Sequence, residues 1–222
     1  MQPIGIQHND SEPKLLLVNC QLIKPKGQRG MGTYALNLLL EIVKQRPQYQ
    51  FILATDRKSS CDYLRSEFAV FQNVTFIYFA LPGVVFEQFV LPVIAISYGC
   101  HSIVHSGDTA SVPCLWLRAR NILILHDVYF KTKVQHELSF KRFLGRLYRR
   151  VTIDLSIRRA DLIATVSEYA KSQIHEAYPC SKNKRSVITY NGSGLRTPDP
   201  GPIEKRPRLL LVSGSDPQKN LK

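Results

Sequence analysis

Short apolar runs alternate along this chain with longer segments whose apolar residues recur every three or four positions. The runs cover 14–19, 50–55, 74–79, 102–105, 121–125, 161–166 and 186–189, and the longer segments between them cover 34–43, 56–68, 84–98, 137–157 and 168–177. The runs have the length of strands, and the longer segments have the spacing of helices. This order predicts an α/β fold with a doubly wound, mostly parallel sheet.

The run 121–125 is followed directly by two ionisable residues, His126 and Asp127. An unbroken apolar run suits a strand that is covered on both faces, and ligands of parallel sheets bind beyond the carboxyl ends of the strands. His126 and Asp127 are therefore candidate site residues. The alternative is a structural role in which His126 hydrogen-bonds neighbouring backbone and closes the strand, and this run alone does not decide between the two.

The segment 84–98 is the longest apolar region of the chain, but Glu87, Gln88 and Pro92 interrupt it and it is too short to span a bilayer. It predicts a buried helix. The first 13 residues form a polar tail without an apolar core of signal-peptide length. The sequence therefore predicts no segment that would carry the chain across a membrane.

Composition narrows the classes of partner. The 222 residues are 44% hydrophobic, enough for a substantial core, and the formal net charge of +13 favours an anionic partner: nucleic acid, an acidic membrane surface or a phosphorylated substrate. The five cysteines lie far apart, without the spacing of a metal site. We therefore expect reduced, structural cysteines, a cytoplasmic protein and no bound metal.

A glycine-rich loop precedes the first predicted helix, with Thr33 available as its cap. Gly30-x-Gly32-x-x-Ala35 fits the dinucleotide fingerprint by letter, and Asp56 ends the second strand where a ribose-binding acid would lie. In that fingerprint, however, the first glycine follows the strand almost directly, whereas here a charged loop intervenes. Free N–H groups at the helix start still suit an anionic group. The alternative is an ordinary mobile loop.

The predicted helix that starts at Glu137 and runs to about 159 is amphipathic and basic. Its apolar residues recur at three and four positions, while lysines and arginines take the other faces. Such a face indicates either an ordinary solvated surface or a site that lies on an anionic bilayer. Nucleic acid is disfavoured, because the basic residues are not interleaved with aromatic residues in a recognisable binding module.

The end of the chain predicts a second domain. Four prolines and a glycine between 198 and 207 are typical of a linker, and Arg208-Leu-Leu-Leu-Val-Ser213 again has the pattern of a first strand. A strand and part of a loop cannot form a domain alone. We therefore expect a domain over 14–197, a linker over 198–207, and in 208–222 the first strand and loop of a truncated second α/β domain.

Several short blocks occur in the order found in glycosyltransferase family 4. They are Arg29-Gly-Met-Gly-Thr-Tyr-Ala-Leu-Asn-Leu-Leu, Phe86-Glu-Gln-Phe-Val-Leu-Pro92, His126-Asp127, Ala160-Asp-Leu-Ile-Ala-Thr-Val-Ser-Glu168, Asn191-Gly192 and Val212-Ser-Gly-Ser-Asp-Pro-Gln-Lys-Asn220. The ordered set resembles the acceptor-side domain of these retaining, nucleotide-sugar-dependent enzymes of GT-B fold. The resemblance implies a Rossmann-like N-terminal domain, with the donor-side domain represented only by its first strand and loop.

The resemblance also implies roles for particular residues. Gly30 and Gly32 would face the sugar diphosphate, Lys219 would bind that diphosphate, and His126 would contact the donor sugar near the bond that breaks. The residues implied to line or support the cleft are Arg29, Asp127, Ser167 and Glu168. The sequence departs from the family where Thr33 and Ser215 stand, since many members have arginine at those positions.

The resemblance implies a hexosyltransferase that uses a UDP- or GDP-linked sugar, with no cofactor or metal, and a lipid-linked or oligosaccharide acceptor in cell-surface polysaccharide synthesis. We expect it to be cytoplasmic and peripheral on the inner face of the membrane, with residues 1–222 inactive alone. The alternatives are a non-enzymatic α/β domain that binds an anionic membrane or nucleic acid, and a nicotinamide-dependent dehydrogenase.

Overall fold

The computed structural model describes residues 14–26, 30–128 and 140–192, with the backbone alone for 140–144 and 146. The predicted tail, Arg29, the linker and the fragment with Lys219 lie outside the described residues. The strands are β1 Leu15–Asn19, β2 Gln50–Thr55, β3 Val74–Tyr78, β4 Ser102–His105, β5 Arg120–Ile124, β6 Leu162–Thr165 and β7 Arg185–Ile188. All of them pair in parallel in one sheet of order β3-β2-β1-β4-β5-β6-β7, which confirms the predicted fold class.

Five longer helices connect these strands. They are α1 Gly30–Gln45, α2 Lys58–Glu67, α3, which joins Gly83–Val85, a π-helical turn at Phe86–Val90 and Leu91–Ser97, α4 Phe140–Arg159 and α5 Glu168–Ala177. Two short 3-10 helices, Pro113–Trp116 and Pro179–Asn183, were not predicted. Helix α1 begins at Gly30, so Thr33 lies inside the helix and the prediction that it caps the amino end is wrong.

The strand order places a switch point beside β1. This strand pairs with β2 on one side and with β4 on the other, so the chain runs outward in one direction through β3 and in the other through β7. Loops that leave β1 and β4 therefore diverge and open a crevice at the carboxyl end of the sheet. This crevice fixes where a ligand site can form.

Both faces of the sheet are covered, as the unbroken apolar runs predict. Neighbouring residues of β1 show this, because Val18 packs in one cluster with Leu36 and Leu39 of α1, whereas Leu17 packs in another with Leu91 of α3. Successive side chains of a strand point to opposite faces. The core therefore consists of two layers with β1 and β4 between them.

Helix α3 departs from the prediction of a buried helix. Phe86 and Leu91 are buried against the sheet, but Val84, Phe89 and Val93 on the outer side are exposed. The segment is apolar all round, and apolar composition alone does not show which side a neighbour covers. The prediction is right for the inner face of α3 and wrong for its outer face.

The cysteines agree with the prediction of structural residues. All five are free, and Cys20, Cys61, Cys100 and Cys114 are buried. Burial raises the pKa of the Cys20, Cys100 and Cys114 thiols, which keeps them protonated and poorly nucleophilic. In the part of the chain that the structure describes, no helix combines the length and the apolarity that a membrane span needs.

Candidate functional site at the carboxyl end of the sheet

His126 lies just beyond the carboxyl end of β5 and contacts the start of α1. Its ring stands edge-on to the ring of Tyr34, with centroids 5.0 Å apart and planes at 81°. Tyr34 lies one turn after Gly30, where α1 begins. The structure therefore brings the histidine and the first turn of the glycine-rich helix together.

Asp108 supports His126 from the neighbouring strand. It lies in the loop after β4, and its Oδ1 accepts a hydrogen bond from the backbone N–H of His126 at 3.4 Å. Arg149 of α4 contacts the other oxygen, with Nη2 and Oδ2 3.5 Å apart. Three elements, the β4 loop, the end of β5 and α4, thus meet at one carboxylate.

Burial sets the protonation of this pair. It lowers the pKa of His126, and the carboxylates of Asp108 and Asp127 oppose that shift. Burial also raises the pKa of Asp108. The hydrogen bond from the His126 N–H and the positive charges of His126 and Arg149 lower that pKa and so oppose the shift. The lowered pKa keeps the imidazole of His126 neutral near neutral pH, whereas burial favours the protonated form of Asp108 and Arg149 favours its charged form.

The His126 side chain has an unused polar atom. Its Nε2 is enclosed and finds no hydrogen-bond partner among the described residues. An unsatisfied buried polar group costs about 1–3 kcal/mol, and such groups often mark functional sites. A polar partner at Nε2 would remove that cost, but because the atom is enclosed a ligand can reach it only after the surrounding side chains move.

A groove of about 500 Å³ lies against the outer side of Tyr34. The residues that line it are Gly30, Thr33, Tyr34, Asn37, Leu38, Glu41, Tyr190, Asn191 and Gly192. The Tyr34 hydroxyl hydrogen-bonds Thr189 Oγ1, which ties α1 to the segment after β7. Helix α1 and the Asn191-Gly192 block, which are far apart in sequence, therefore share one groove.

The remaining predicted site residues take different positions. Gly30 is exposed and lines the groove, whereas Gly32 is buried within α1. Asp127 is exposed beside His126. Ser167 caps α5, because its hydroxyl accepts from the Ala170 N–H at 3.0 Å, and Glu168 is the first residue of that helix. Ser167 thus has a clear structural role, at the same end of the sheet as His126.

A second buried polar group holds the loop of Asp108 in place. Glu87 of α3 accepts a hydrogen bond from Thr109 at 2.8 Å and another from the Tyr148 hydroxyl of α4 at 3.4 Å. Gln88 donates to the same hydroxyl at 2.7 Å and accepts from the Val112 N–H at 2.8 Å. Burial raises the pKa of Glu87 and raises that of Tyr148 to about 12. The network joins α3, α4 and the β4 loop.

Sequence reasoning missed Asp108 and Tyr34. A signal for Asp108 existed, since it follows β4 by three residues and the rule that selected His126 applies to the neighbouring strand as well. Tyr34 has no such signal, because it occupies an apolar position of α1 and only its contact with His126 distinguishes it. Among the described residues, no three His, Cys, Asp or Glu side chains group as metal ligands would.

Comparisons with known proteins agree with this architecture. The model of Glycosyltransferase Family 4 matches residues 28–193. Among solved structures, Anabaena HepE in complex with UDP and glucose is similar with a TM-score of 0.50 and 19% identity, over 81% of this chain and 44% of that chain. HepE with UDP gives a TM-score of 0.49 and 20% identity over the same shares.

A short chain dehydrogenase from Mycobacterium smegmatis gives a TM-score of 0.43 and 11% identity, over 82% of this chain and 93% of that chain. No curated protein matches the sequence. The chain spans less than half of the HepE chain, and these structural likenesses extend to the fold alone. The family match covers most of the 222 residues, and the chain belongs to Glycosyltransferase Family 4.

Proposed function

We propose that this chain is the acceptor-side part of a retaining hexosyltransferase that takes its sugar from a UDP- or GDP-linked donor. The observation that carries the proposal is His126, held by Asp108 and placed against the first turn of α1 in a chain of this family. The complex of Anabaena HepE with UDP and glucose supports a nucleotide-sugar donor.

The chemistry of sugar transfer suits these groups. Breaking the bond to a nucleotide diphosphate develops positive charge at the anomeric carbon and negative charge on the leaving phosphate, and fixed partners for both lower the barrier. Neutral His126 holds a hydroxyl of the donor sugar, and the nearby acidic groups of Asp108 and Asp127 favour the developing positive charge. The exposed first turn of α1 at Gly30 offers N–H groups to the leaving diphosphate.

The proposal extends to residues that the structure does not describe. Lys219 binds the diphosphate from the donor-side domain, Arg29 supports the cleft, and the acceptor is a lipid-linked sugar or an oligosaccharide of cell-surface polysaccharide synthesis. The protein works at the cytoplasmic face of the membrane, where the basic helix that ends at Arg159 faces acidic lipid. Residues 1–222 alone turn over no donor, because most of the nucleotide site lies on the donor-side domain.

The length of the loop between β1 and α1 disfavours the dehydrogenase alternative. Residues 20–29 separate the end of β1 from the start of α1, whereas the dinucleotide fingerprint needs its first glycine almost directly after the strand. NAD binding by the purified chain would revive that alternative. Steeply salt-dependent DNA binding without sugar-nucleotide turnover would favour the anion-binding alternative.

The direct test is a screen of the protein, joined to its donor-side domain, against UDP- and GDP-sugars with lipid-linked and oligosaccharide acceptors. We expect transfer from one donor with the anomeric configuration retained in the product, read by NMR. Inversion of configuration would contradict the retaining mechanism. Turnover by residues 1–222 alone would contradict the assignment of the donor site to the second domain.

A further inference from the structure

Helix α3 binds the loop after β4 at two points that follow Asp108. Glu87 Oε1 accepts a hydrogen bond from the Thr109 hydroxyl at 2.8 Å, and Gln88 Oε1 accepts one from the Val112 N–H at 2.8 Å. Glu87 is buried, and burying a carboxyl group costs free energy even when it is hydrogen-bonded. A helix packed for stability alone would carry apolar residues here, so the pair indicates a task beyond filling the core.

Helix α4 binds the same loop through a polar stripe on its inner side. Tyr148, Thr152 and Ser156 recur every four residues, which places them along one side of the helix, and both Thr152 and Ser156 are buried. The Ser156 hydroxyl accepts from the Ala110 N–H at 2.9 Å and donates to the Thr152 carbonyl at 2.6 Å. The inner side of an amphipathic helix is ordinarily apolar. This stripe instead fixes the backbone of the loop to α4.

The Tyr148 hydroxyl joins the two helices. It accepts a hydrogen bond from Gln88 Nε2 at 2.7 Å and donates one to Glu87 Oε2 at 3.4 Å. Burial raises the pKa of Tyr148 to about 12, so the hydroxyl keeps the proton that it donates. The next residue, Arg149, contacts Asp108 Oδ2 at 3.5 Å. The position of α4 against α3 therefore also sets the position of the Asp108 carboxyl group.

The hydrogen bond between Asp108 and His126 is sensitive to where this loop stands. The His126 N–H and Asp108 Oδ1 are 3.4 Å apart, close to the outer limit for a hydrogen bond, so a small displacement of the loop breaks the contact. Supporting groups must hold a functional site to within about 0.5 Å. Because α3 and α4 fix the loop, they also fix this contact.

We propose that Glu87, Gln88 and Tyr148 are positioning residues for the proposed sugar transfer, which fix the loop after β4 between α3 and α4 and so hold Asp108 against His126. They act through Asp108 and take no part in breaking the bond to the donor. Their effect on turnover rests on the proposed function. Their effect on the surroundings of His126 is independent of what the protein catalyses.

Tyr148→Phe tests the bridge between the helices, because it removes the hydroxyl and keeps the ring. In the full-length protein we expect kcat to fall about tenfold, since a misplaced catalytic group slows the chemical step, with KM for the donor within about twofold. Tyr63→Phe is the matched control, because its hydroxyl also hydrogen-bonds a glutamate, Glu67, but on α2. Unchanged kcat in Tyr148→Phe, or an equal loss in the control, contradicts the proposal.

A double-mutant cycle tests whether Tyr148 acts through Asp108. Once Asp108→Ala has removed the carboxyl group, Tyr148→Phe should lower kcat by less than about twofold, because the contact that it positions no longer exists. A merely structural role predicts independent effects, with the same loss of about tenfold in both backgrounds. Additive losses would therefore overturn the inference.

Two substitutions of Glu87 test its role separately. Glu87→Gln keeps an oxygen for the Thr109 hydroxyl, whereas Glu87→Leu keeps none. We expect kcat to fall further in Glu87→Leu than in Glu87→Gln, by about fivefold or more. Equal kcat in the two variants contradicts the proposal. If Glu87→Leu does not fold, Thr109→Val removes the same hydrogen bond from the other side and should give the same loss.

The titration of His126 provides a measurement that needs no sugar donor. In full-length protein with labelled histidine, we expect NMR to show a lower pKa for His126 in Tyr148→Phe, because the displaced Asp108 opposes burial less, and no change in Tyr63→Phe. An unchanged pKa of His126 in Tyr148→Phe would overturn the inference. A lowered pKa in a protein that transfers no sugar would confirm the positioning of His126 and contradict the proposed function.

Discussion

The carboxyl and amino ends of the sheet differ in the way they hold polar groups. At the carboxyl end, Glu87 is buried and Asp108 and His126 are partly buried, and each has its pKa shifted first of all by burial. At the amino end, Arg118 and Arg120 are exposed. Buried groups act on a ligand with little screening, whereas exposed cations in water contribute mainly through their number. The same parallel strands thus hold partly buried ionisable groups at one end and exposed cations at the other.

The largest expected difference between the two ends concerns activity. His126→Ala in the full-length protein should lower turnover about a hundredfold or more, the contribution of a positioned catalytic group. His101→Ala at the amino end, beside the backbone N–H of Leu15, should leave turnover within about twofold. Turnover of His126→Ala within about tenfold of the parent would contradict the assignment of His126.

A second difference concerns stability against pH. Burial lowers the pKa of His105 to about 4. The unfolded chain binds this proton below about pH 6.5, so the contribution to stability is complete above that pH and is lost as the pH falls toward 4. The shift corresponds to about 3 kcal/mol at about 1.4 kcal/mol for each pH unit.

Urea unfolding of the parent and of His105→Gln between pH 7.5 and 4.5 measures this contribution. The parent should lose about 2.5 kcal/mol more than the variant over that interval, because glutamine does not titrate. Parallel curves for the two proteins would show that His105 accepts a proton in the folded state. Direct titration of the His105 ring by NMR provides the control if the variant unfolds.

Asp108→Asn tests whether the Asp108 carboxyl group controls the pKa of His126. The change keeps the shape and removes the charge that opposes burial at His126, so the pKa of His126 should fall further. Turnover should fall about tenfold, the lower range for an acid–base partner. Asp62→Asn on α2, whose carboxylate is 56% exposed, is the matched control. An unchanged His126 titration would leave Asp108 with a structural role alone.

The smallest effect is expected at the junction between α1 and the segment after β7. Tyr34→Phe removes the hydrogen bond to Thr189 and keeps the ring against His126. The free energy of unfolding should fall by about 1 kcal/mol, the net contribution of one hydrogen bond. Chemical denaturation measures it. Tyr49→Phe, at a position that packs against the core from its margin, serves as the comparison.

The fold was accessible from the sequence because each strand is a short apolar run with polar ends. The bounds of β2, β4 and α5 were predicted to the residue, and β5 was displaced by one position. The core forms from apolar residues that recur with the spacing of a helix or a strand, and that spacing is visible within each short segment of the sequence. The carboxyl end of β5 follows from the same pattern, which is why His126 could be selected.

The rest depends on contacts between distant segments. The role of Asp108 appears only when the loop after β4 meets the end of β5 and α4. The exposed side of α3 was missed because an apolar residue such as Phe89 looks the same in sequence whether another element covers it or not. Arg29 and Lys219 lie outside the described residues, and their roles stay predictions.

The central position of β1 in the sheet also affects how the chain folds during translation. β1 pairs with β2 soon after both are made, but its other partner, β4, begins only at Ser102. Until the ribosome has released β4, the hydrogen-bonding edge of β1 is open, and open edges invite pairing with other chains. Slow translation or a chaperone over 58–101 would therefore affect yield more than the same delay after β4.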